Sequence, residues 1–403
     1  RDLLPRMISS MEGSHVIADG LAVKPGKPAL AALVSGKPLF ALPGNPTSAL
    51  MVFHEIVKPT IRRLAGRDVD DTRPVIEASL AFKTFSARGR QELLPVHLVT
   101  DELGRHLAYP VLSGSGAITS FALADGFIKI AADREILDEG EKVQVHLFSS
   151  NIRPPDLVVI GSHCIGIDLI FRMISKREQH ILTKIINVGS IGGIHALKRG
   201  EADLAGIHLL DEQSGDYNTP FIEKLSLRDR VVLIRGYSRE QGFIIAKGNP
   251  KGIHDFEDLF RPGITFINRN MGSGTRILVD MNLSAIARKR QIPMEQLTEQ
   301  IRGYDLEAKS HSAVASAILQ GRVDVGFGIR TVAEQNDLGF VSHSLERFDF
   351  AVNKSRMHKD SVASFIEVLR SEEFRMLLEK EAPGIFPDRN TGNAIPLDNK
   401  PRP

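Results

Sequence analysis

A single cysteine, Cys164, leaves this 403-residue chain without an intrachain disulfide framework or a cysteine-rich metal site, and it fits a reducing compartment. No apolar run approaches the roughly 18 residues of a membrane-spanning helix. Charge of one sign is also lacking: 51 Lys and Arg against 49 Asp and Glu leave a net charge of +2. That is no global basic field for nucleic acid, so any positive charge that matters is local. No helix-turn-helix pattern is evident, which disfavours a DNA-binding regulator. An initiator methionine is missing too. Arg1-Asp2-Leu3-Leu4-Pro5 reads like the inside of a domain, so a preceding N-terminal portion is expected and the absent signal peptide carries little weight.

What is present divides by pattern, and a chain of this length accommodates two or three domains. Residues 1–68 alternate helix and strand: a helix near Asp2 to Met11, a Val16-Ile17 segment, a loop from Gly20 to Pro28, and a strand near Leu30 to Leu33. A short buried strand follows at Lys37 to Leu42, giving part of an α/β layer. Residues 69–150 change to short alternating runs at Val96 to Val99, Phe127 to Ile130 and Val143 to Leu147, the pattern of a small all-β domain. Ser149 to Pro155 is polar and proline-bearing and reads as a linker. Residues 151–403 form a new α/β series that opens at Leu157-Val158-Val159-Ile160 and frays after Pro396. Inside it, Ala196 to Gly206 resembles Ala317 to Gly326 in residue type and spacing: helix, glycine stop, aspartate, strand. Two such copies predict two similar lobes with a ligand cleft between them.

In the first region the segment Leu42-Pro43-Gly44-Asn45-Pro46-Thr47-Ser48-Ala49 runs from strand to helix, and Leu50, Phe53, Val57, Ile61 and Leu64 then recur at helical spacing. The prolines pin the turn, Gly44 lets a ligand approach the backbone, and the helix start presents free N–H groups that suit a phosphate. A plain helix start explains the same residues equally well. Upstream, Lys24 and Lys27 flank a Pro-Gly turn, where ammonium groups suit phosphate or oxyanion contact or stand as ordinary solvated lysines.

Together with Arg1 to Pro5, Ser86 to Glu92 and Ser113-Gly114-Ser115-Gly116, these motifs resemble the C-terminal part of the molybdopterin molybdenumtransferase (MoeA) family. The resemblance implies a partial MogA-like α/β domain followed by a small β domain. It implies insertion of molybdate into adenylylated molybdopterin with release of AMP, Mg2+ as a cofactor, a homodimer in the full-length protein and a cytoplasmic setting. By the same resemblance Asp2 is the catalytic candidate. Lys24, Lys27, Pro43, Gly44, Asn45, Pro46, Ser48, Arg90 and Ser115 are substrate-binding candidates. The family's N-terminal segments are not in this sequence, so the chain is expected to be inactive alone. The alternative is a non-catalytic molybdopterin-binding, oxyanion-sensing regulator.

In the second region, strands lead into small polar residues at helix starts: Ser162-His163 after Leu157-Val158-Val159-Ile160, and Ser190 within Val188 to Gly193 ahead of a helix at Ile194 to Arg199. A third case is Asn268 to Arg276, where Arg269, Gly272, Ser273, Gly274, Thr275 and Arg276 concentrate donors; a fourth is His311-Ser312. Hydroxyls and free amides at helix starts bind a tetrahedral oxyanion through neutral dipoles, or merely cap the helices. His311 reads equally as scaffold or ligand. The pattern resembles a type 2 periplasmic-binding-protein-like domain, related to molybdate and tungstate binding proteins and to LysR substrate-binding domains. The resemblance implies molybdate or tungstate as ligand, with sulfate satisfying the same donors, and Cys164 stands where the family is expected to be acidic. No nucleic-acid or membrane partner is expected.

Overall fold

The computed structural model describes residues 3–67, 74–111, 124–149, 153–211, 213–271 and 273–397. The chain divides between Pro154 and Pro155 into two units. Among the described residues no helix is long and apolar enough to cross a membrane.

The first unit opens with helix α1 (Leu4–Ser9), strand β1 (Ser14–Asp19) and a two-residue strand β2 (Val23–Lys24). Strands β3 (Leu30–Val34) and β4 (Lys37–Ala41) join β1 in an antiparallel sheet of order β1-β3-β4. The β4 segment departs from the buried strand expected there: Lys37 and Pro38 are exposed and the rest only half-buried. Among the described residues it pairs with β3 alone, and an edge strand keeps one side open to solvent.

Helix α2 (Pro46–Val52), a π-helical turn (Phe53–Val57) and helix α3 (Lys58–Leu64) follow without a break. Here the expected apolar face is the outer one. Leu50, Phe53, Ile61 and Leu64 are 37–68% exposed, whereas Thr47, Ser48, Met51 and Val52 are buried. Met51 packs with Leu93 and Phe127, and a Cβ on Gly26 would meet the Val52 side chain at 2.7 Å. The wider π turn shifts the register of the face, so a strict helical spacing misassigns it.

Strands β5 (Val75–Leu80), β7 (Gln91–Thr100), β8 (His106–Pro110), β9 (Gly126–Ile130) and β11 (Lys142–Leu147) close on themselves, because β9 pairs with both β11 and β7. The alternating residues Ala78, Leu80, Val96, Ile128, Val143 and Val145 fill this small barrel. A short pair, β6 (Thr84–Phe85) and β10 (Ile136–Leu137), lies outside the ring, and β2 adds in parallel to the start of β7.

The second unit is built on two 15-residue strands, β15 (Val231–Ile245) and β19 (Gly339–Asn353), paired antiparallel along their length. At one end the sheet continues through β14 (Leu204–Ile207), β12 (Leu157–Gly161) and β13 (Thr183–Asn187); at the other through β18 (Val325–Ile329), β16 (Phe266–Arg269) and β17 (Glu307–Ala308). Each end is a lobe with its own core, around Ile167, Ile170, Phe350 and Phe365 in the first and Phe243, Phe266, Leu283 and Phe327 in the second. Helices α4 (Ile165–Arg177), α5 (Gly189–Lys198), α6 (Thr219–Lys224), α11 (Asp360–Arg370) and α12 (Glu372–Glu381) belong to the first lobe's part of the chain or return to it. Helices α7 (Gly274–Arg290), α8 (Met294–Thr298), α9 (His311–Leu319) and α10 (Arg330–Gln335) belong to the second. Short strands β20 (Ile385–Pro387) and β21 (Ala394–Ile395) then pair with β15.

The internal echo is structural. In the first copy α5 stops at Gly200 (φ +73°) and Asp203 precedes β14; in the second α9 stops at Gly321 (φ +65°) and Asp324 precedes β18. The two aspartates do equivalent work: Asp203 accepts from the Val158 amide of β12, and Asp324 from the Thr265 amide just ahead of β16, both at 2.8 Å. Helix α5 starts at Gly189, five residues before the expected Ile194, because Gly192 and Gly193 stay helical. A Cβ on Gly193 would stand 2.7 Å from Ile160 O, so this close helix-to-strand contact requires glycine.

Candidate functional site

Three strand ends and three helix starts supply the candidate site of the second unit. After β12, Ser162 Oγ lies 2.8 Å from Ser190 Oγ in the first turn of α5, and Ser190 Oγ also accepts from the His208 amide at 3.0 Å. Both serines are buried. His208 directly follows β14, its ring stacked on Phe348 with centroids 5.6 Å apart. Nδ1 of His208 contacts the Glu346 carboxylate. The other Glu346 oxygen accepts from Arg239 Nη2 at 2.7 Å, and the Arg239 guanidinium lies over the Phe348 ring at 4.6 Å. Arg239 and Glu346 are 3% and 2% exposed.

Burial alone would raise the Glu346 pKa, but Arg239 and then His208 hold it well below the usual carboxylate range. Burial likewise opposes the Arg239 charge, and Glu346 more than restores it. Arg269, at the end of β16, is the contrast. Its guanidinium donates only to the carbonyls of Ala308 and Lys309, and among the described residues it forms no ion pair. Burial, and then repulsion from Arg239, lower its pKa to about 10. It stays charged at neutral pH. Nearby His311, the first residue of α9, has a buried Nδ1 without a protein partner among the described residues, and burial followed by Arg269 and Arg239 hold its pKa well below the ordinary value. It is therefore a neutral imidazole at neutral pH. Tyr217 also senses this cluster: burial and then the Glu346 charge push its phenol up to about 12. Two guanidinium charges against one carboxylate leave one buried positive charge in excess, a site that attracts an anion.

The remaining residues singled out from the sequence divide. Gly274 opens α7 beside His208, where an added Cβ would stand 3.1 Å from Nδ1. Ser273 caps α7 by accepting from the Arg276 amide at 3.2 Å, and Thr275 is buried in that first turn. Arg276 turns elsewhere: its Nε donates to Asp280 at 2.8 Å, its Nη1 approaches Glu307, and it lies over the Tyr304 ring. An arginine already neutralised by two carboxylates is a poor counter-charge for a ligand. His163 bonds Asp168 at 2.8 Å at the surface, and Ser312 is exposed beside His311. Asp2, Ser115 and Gly272 lie outside the described residues. Cys164 is buried with Sγ 2.8 Å from the Tyr237 hydroxyl, a packed contact behind the site.

Sequence reading missed His208, Arg239, Glu346 and Tyr217. The signal for two of them was there: Arg239 and Glu346 are charges near the middle of long strands, where a charge on the buried face requires a partner.

In the first unit, pairing of β2 with β7 brings the Lys24 loop beside Arg90, which immediately precedes β7. Lys24 Nζ is 2.8 Å from Glu92, whose other oxygen accepts from Ser86 Oγ at 2.7 Å. Lys27 and Gly44 are exposed, Pro43 and Ser48 buried, and Asn45 and Pro46 begin α2. Thr47 is buried there, and its Oγ1 lacks a protein partner among the described residues.

Three family models match successive parts of the chain: "Probable molybdopterin binding domain" over residues 1–63, the MoeA C-terminal region (domain IV) over 77–148, and a PBP superfamily domain over 171–370. The chain combines MoeA-family domains with a PBP-superfamily domain. Among curated relatives, the uncharacterized protein YvgK of Bacillus subtilis is 28% identical over 218 residues, covering 54% of this chain and 67% of its own. A molybdopterin molybdenumtransferase of Haemophilus influenzae is 29% identical over 130 residues, covering 32% of each chain. The chain thus spans about a third of the length of that transferase. Of solved structures, a molybdopterin biosynthesis MoeA protein from Pyrococcus horikosii is 43% identical, with a TM-score of 0.31, covering 37% of this chain and 36% of its own. The MoeA-type part and the PBP-type part are the natural frame for the two sites described above.

Proposed function

We propose that the chain serves molybdenum cofactor assembly, with the PBP-type part capturing a tetrahedral oxyanion, molybdate or tungstate, between its lobes. The observation that carries this reading is Arg269, a charged guanidinium 9% exposed with no carboxylate partner among the described residues and Arg239 near enough to depress its pKa. A buried uncompensated charge is costly, and a bound anion removes that cost. Ser162, Ser190 and the start of α7 add neutral donors on both sides of the cleft.

In the MoeA-type part the proposed reaction is entry of molybdenum from molybdate into the dithiolene of adenylylated molybdopterin, with AMP leaving. Lys27 offers an exposed ammonium for phosphate charge, while Lys24 is shared with Glu92. The orphan Thr47 hydroxyl and the amides opening α2 are suited to hydrogen-bond a phosphate oxygen. Asp2 is the proposed acidic residue at the reacting phosphoanhydride. Among the described residues no group of three His, Cys, Asp or Glu side chains converges to hold a metal ion.

A second reading, that the PBP-type part senses rather than delivers the anion, draws support from Arg239 and Glu346 lying on the two strands shared by both lobes. Calorimetric titration of the chain with molybdate, tungstate and sulfate tests the capture reading; absence of binding to all three sinks it. Arg269→Gln in the longer protein separates the two readings. Delivery predicts insertion that is impaired at limiting molybdate and recovers at saturation, whereas sensing predicts a lowered maximal rate.

A further inference from the structure

At the cleft the two lobes touch where His208 of the first meets Gly274 of the second. A Cβ added to Gly274 would stand 3.1 Å from His208 Nδ1 and 3.2 Å from its Cε1. Gly274 is the first residue of α7 and has ordinary helical backbone, so any residue suits its conformation and only the closeness calls for glycine. The ring on the other side is pinned. Nδ1, the very atom that faces Gly274, also contacts Glu346, and the ring lies stacked on Phe348. Both partners belong to β19, one of the two strands shared by the lobes, so moving Nδ1 aside disturbs a contact with the strand on which the lobes meet.

The same contact joins the two sets of donors. On the first-lobe side the His208 amide donates to Ser190 Oγ at 3.0 Å, and Ser190 Oγ lies 2.8 Å from Ser162 Oγ. On the second-lobe side Gly274 leads the first turn of α7, which Ser273 caps through the Arg276 amide. Ser190, His208 and Gly274 thus run in sequence from one donor set to the other as a spacer of fixed length. We propose that Gly274 sets the span of the cleft, and with it the size of tetrahedral oxyanion that the cleft takes. Glycine permits the closest approach of the lobes, and a side chain at position 274 acts as a wedge. A wider span leaves a small ion short of one side, whereas a larger ion still reaches both. Sulfate, with its shorter bonds to oxygen, is the small ion here, and molybdate the large one. This deepens the oxyanion reading of the cleft and rests on it.

The test is calorimetric titration of the intact chain and of its Gly274→Ala variant with molybdate, and with sulfate in competition against molybdate so that weak binding is also read. Sulfate affinity is expected to fall by about fivefold or more in the variant and molybdate affinity by less, so that the ratio of the two shifts toward molybdate. The melting point without anion is expected to hold, because alanine suits a helical position at least as well as glycine and the lobes can part to make room. His208→Ala removes the ring, and adding Gly274→Ala to it is expected to change affinity and ratio little further. Unchanged affinities in Gly274→Ala, equal losses for both anions, or the same loss with the ring removed overturns the spacer and leaves the oxyanion reading standing. A lowered melting point in Gly274→Ala also overturns the spacer, since the glycine is then a demand of the fold. No binding of either anion by the unaltered chain overturns both. The single variant decides the matter if the double one does not fold.

Discussion

Arg239 and Glu346 are register partners on β15 and β19, directly opposite each other where the two lobes of the second unit meet, and their side chains close the same pair with a 2.7 Å hydrogen bond. Backbone ladder and ion pair thus coincide at one point. Removing one member leaves the other buried and unpaired. Glu346→Gln is expected to destabilise the second unit by about 3–5 kcal/mol, read by denaturant unfolding, against a smaller loss for a surface pair such as Lys247–Asp337.

The same carboxylate sets an acid limit. Its folded pKa is depressed, so its contribution is fully present above the ordinary glutamate range and is lost as pH falls through and below that range. Stability measured against pH should therefore fall on the acid side, and that part of the fall should be absent in Glu346→Gln. An unchanged acid limb in the variant would remove Glu346 as its source.

Arg269→Gln should act in the opposite sense on stability. Deleting a buried charge that has no carboxylate partner is expected to leave the ligand-free protein as stable or slightly more so, while oxyanion affinity drops by about tenfold or more. Thermal unfolding with and without molybdate reads both: the melting point in buffer holds, and the ligand-induced rise shrinks.

Gly26 tests how the MoeA-type loop is held. Its φ is +129°, and an added Cβ would meet Val52 Cγ2 at 2.7 Å and Val23 Cγ2 at 3.1 Å. Gly26→Ala therefore combines an unfavourable backbone with overpacking and should cost about 1–3 kcal/mol of stability in the first unit. Gly44, which faces open space, should tolerate alanine with little change in unfolding midpoint.

In the transferase context, Asp2→Ala is expected to abolish molybdenum insertion and Lys27→Ala to raise the substrate concentration needed for it, both read in the longer protein. Insertion at an unaltered rate in Asp2→Ala would take that residue out of the chemistry.

The lobed plan was legible because its grammar is local. A helix stopped by glycine and followed by aspartate and a buried strand occurs around Gly200 and again around Gly321, and each aspartate caps a neighbouring strand. Arg269, Ser190 and His311 could be named as candidates for the same reason, since strand ends and helix starts can be read from short windows. The pairing of Arg239 with Glu346, 107 residues apart, is set by sheet register, which no short window contains. His208 depends on both that register and the stacking of Phe348. The helix face at Leu50 to Leu64 was misread because a π turn changes the angular step that a periodicity argument holds constant. Arg276, proposed from the sequence as an oxyanion donor, has its charge engaged within its own helix by Asp280, four residues on, a competitor visible in the sequence.

At the meeting point of the lobes β15 is flanked on both edges: Arg239 pairs with Glu346 of β19 on one side and with Ile385 of β20 on the other. The C-terminal segment therefore works as a splint. An arginine on a strand gripped along both edges keeps its aim whether or not a ligand is present, so little ordering entropy remains to be lost on binding. Loosening the splint, far from any anion contact, would be felt as weaker affinity with every donor still in place.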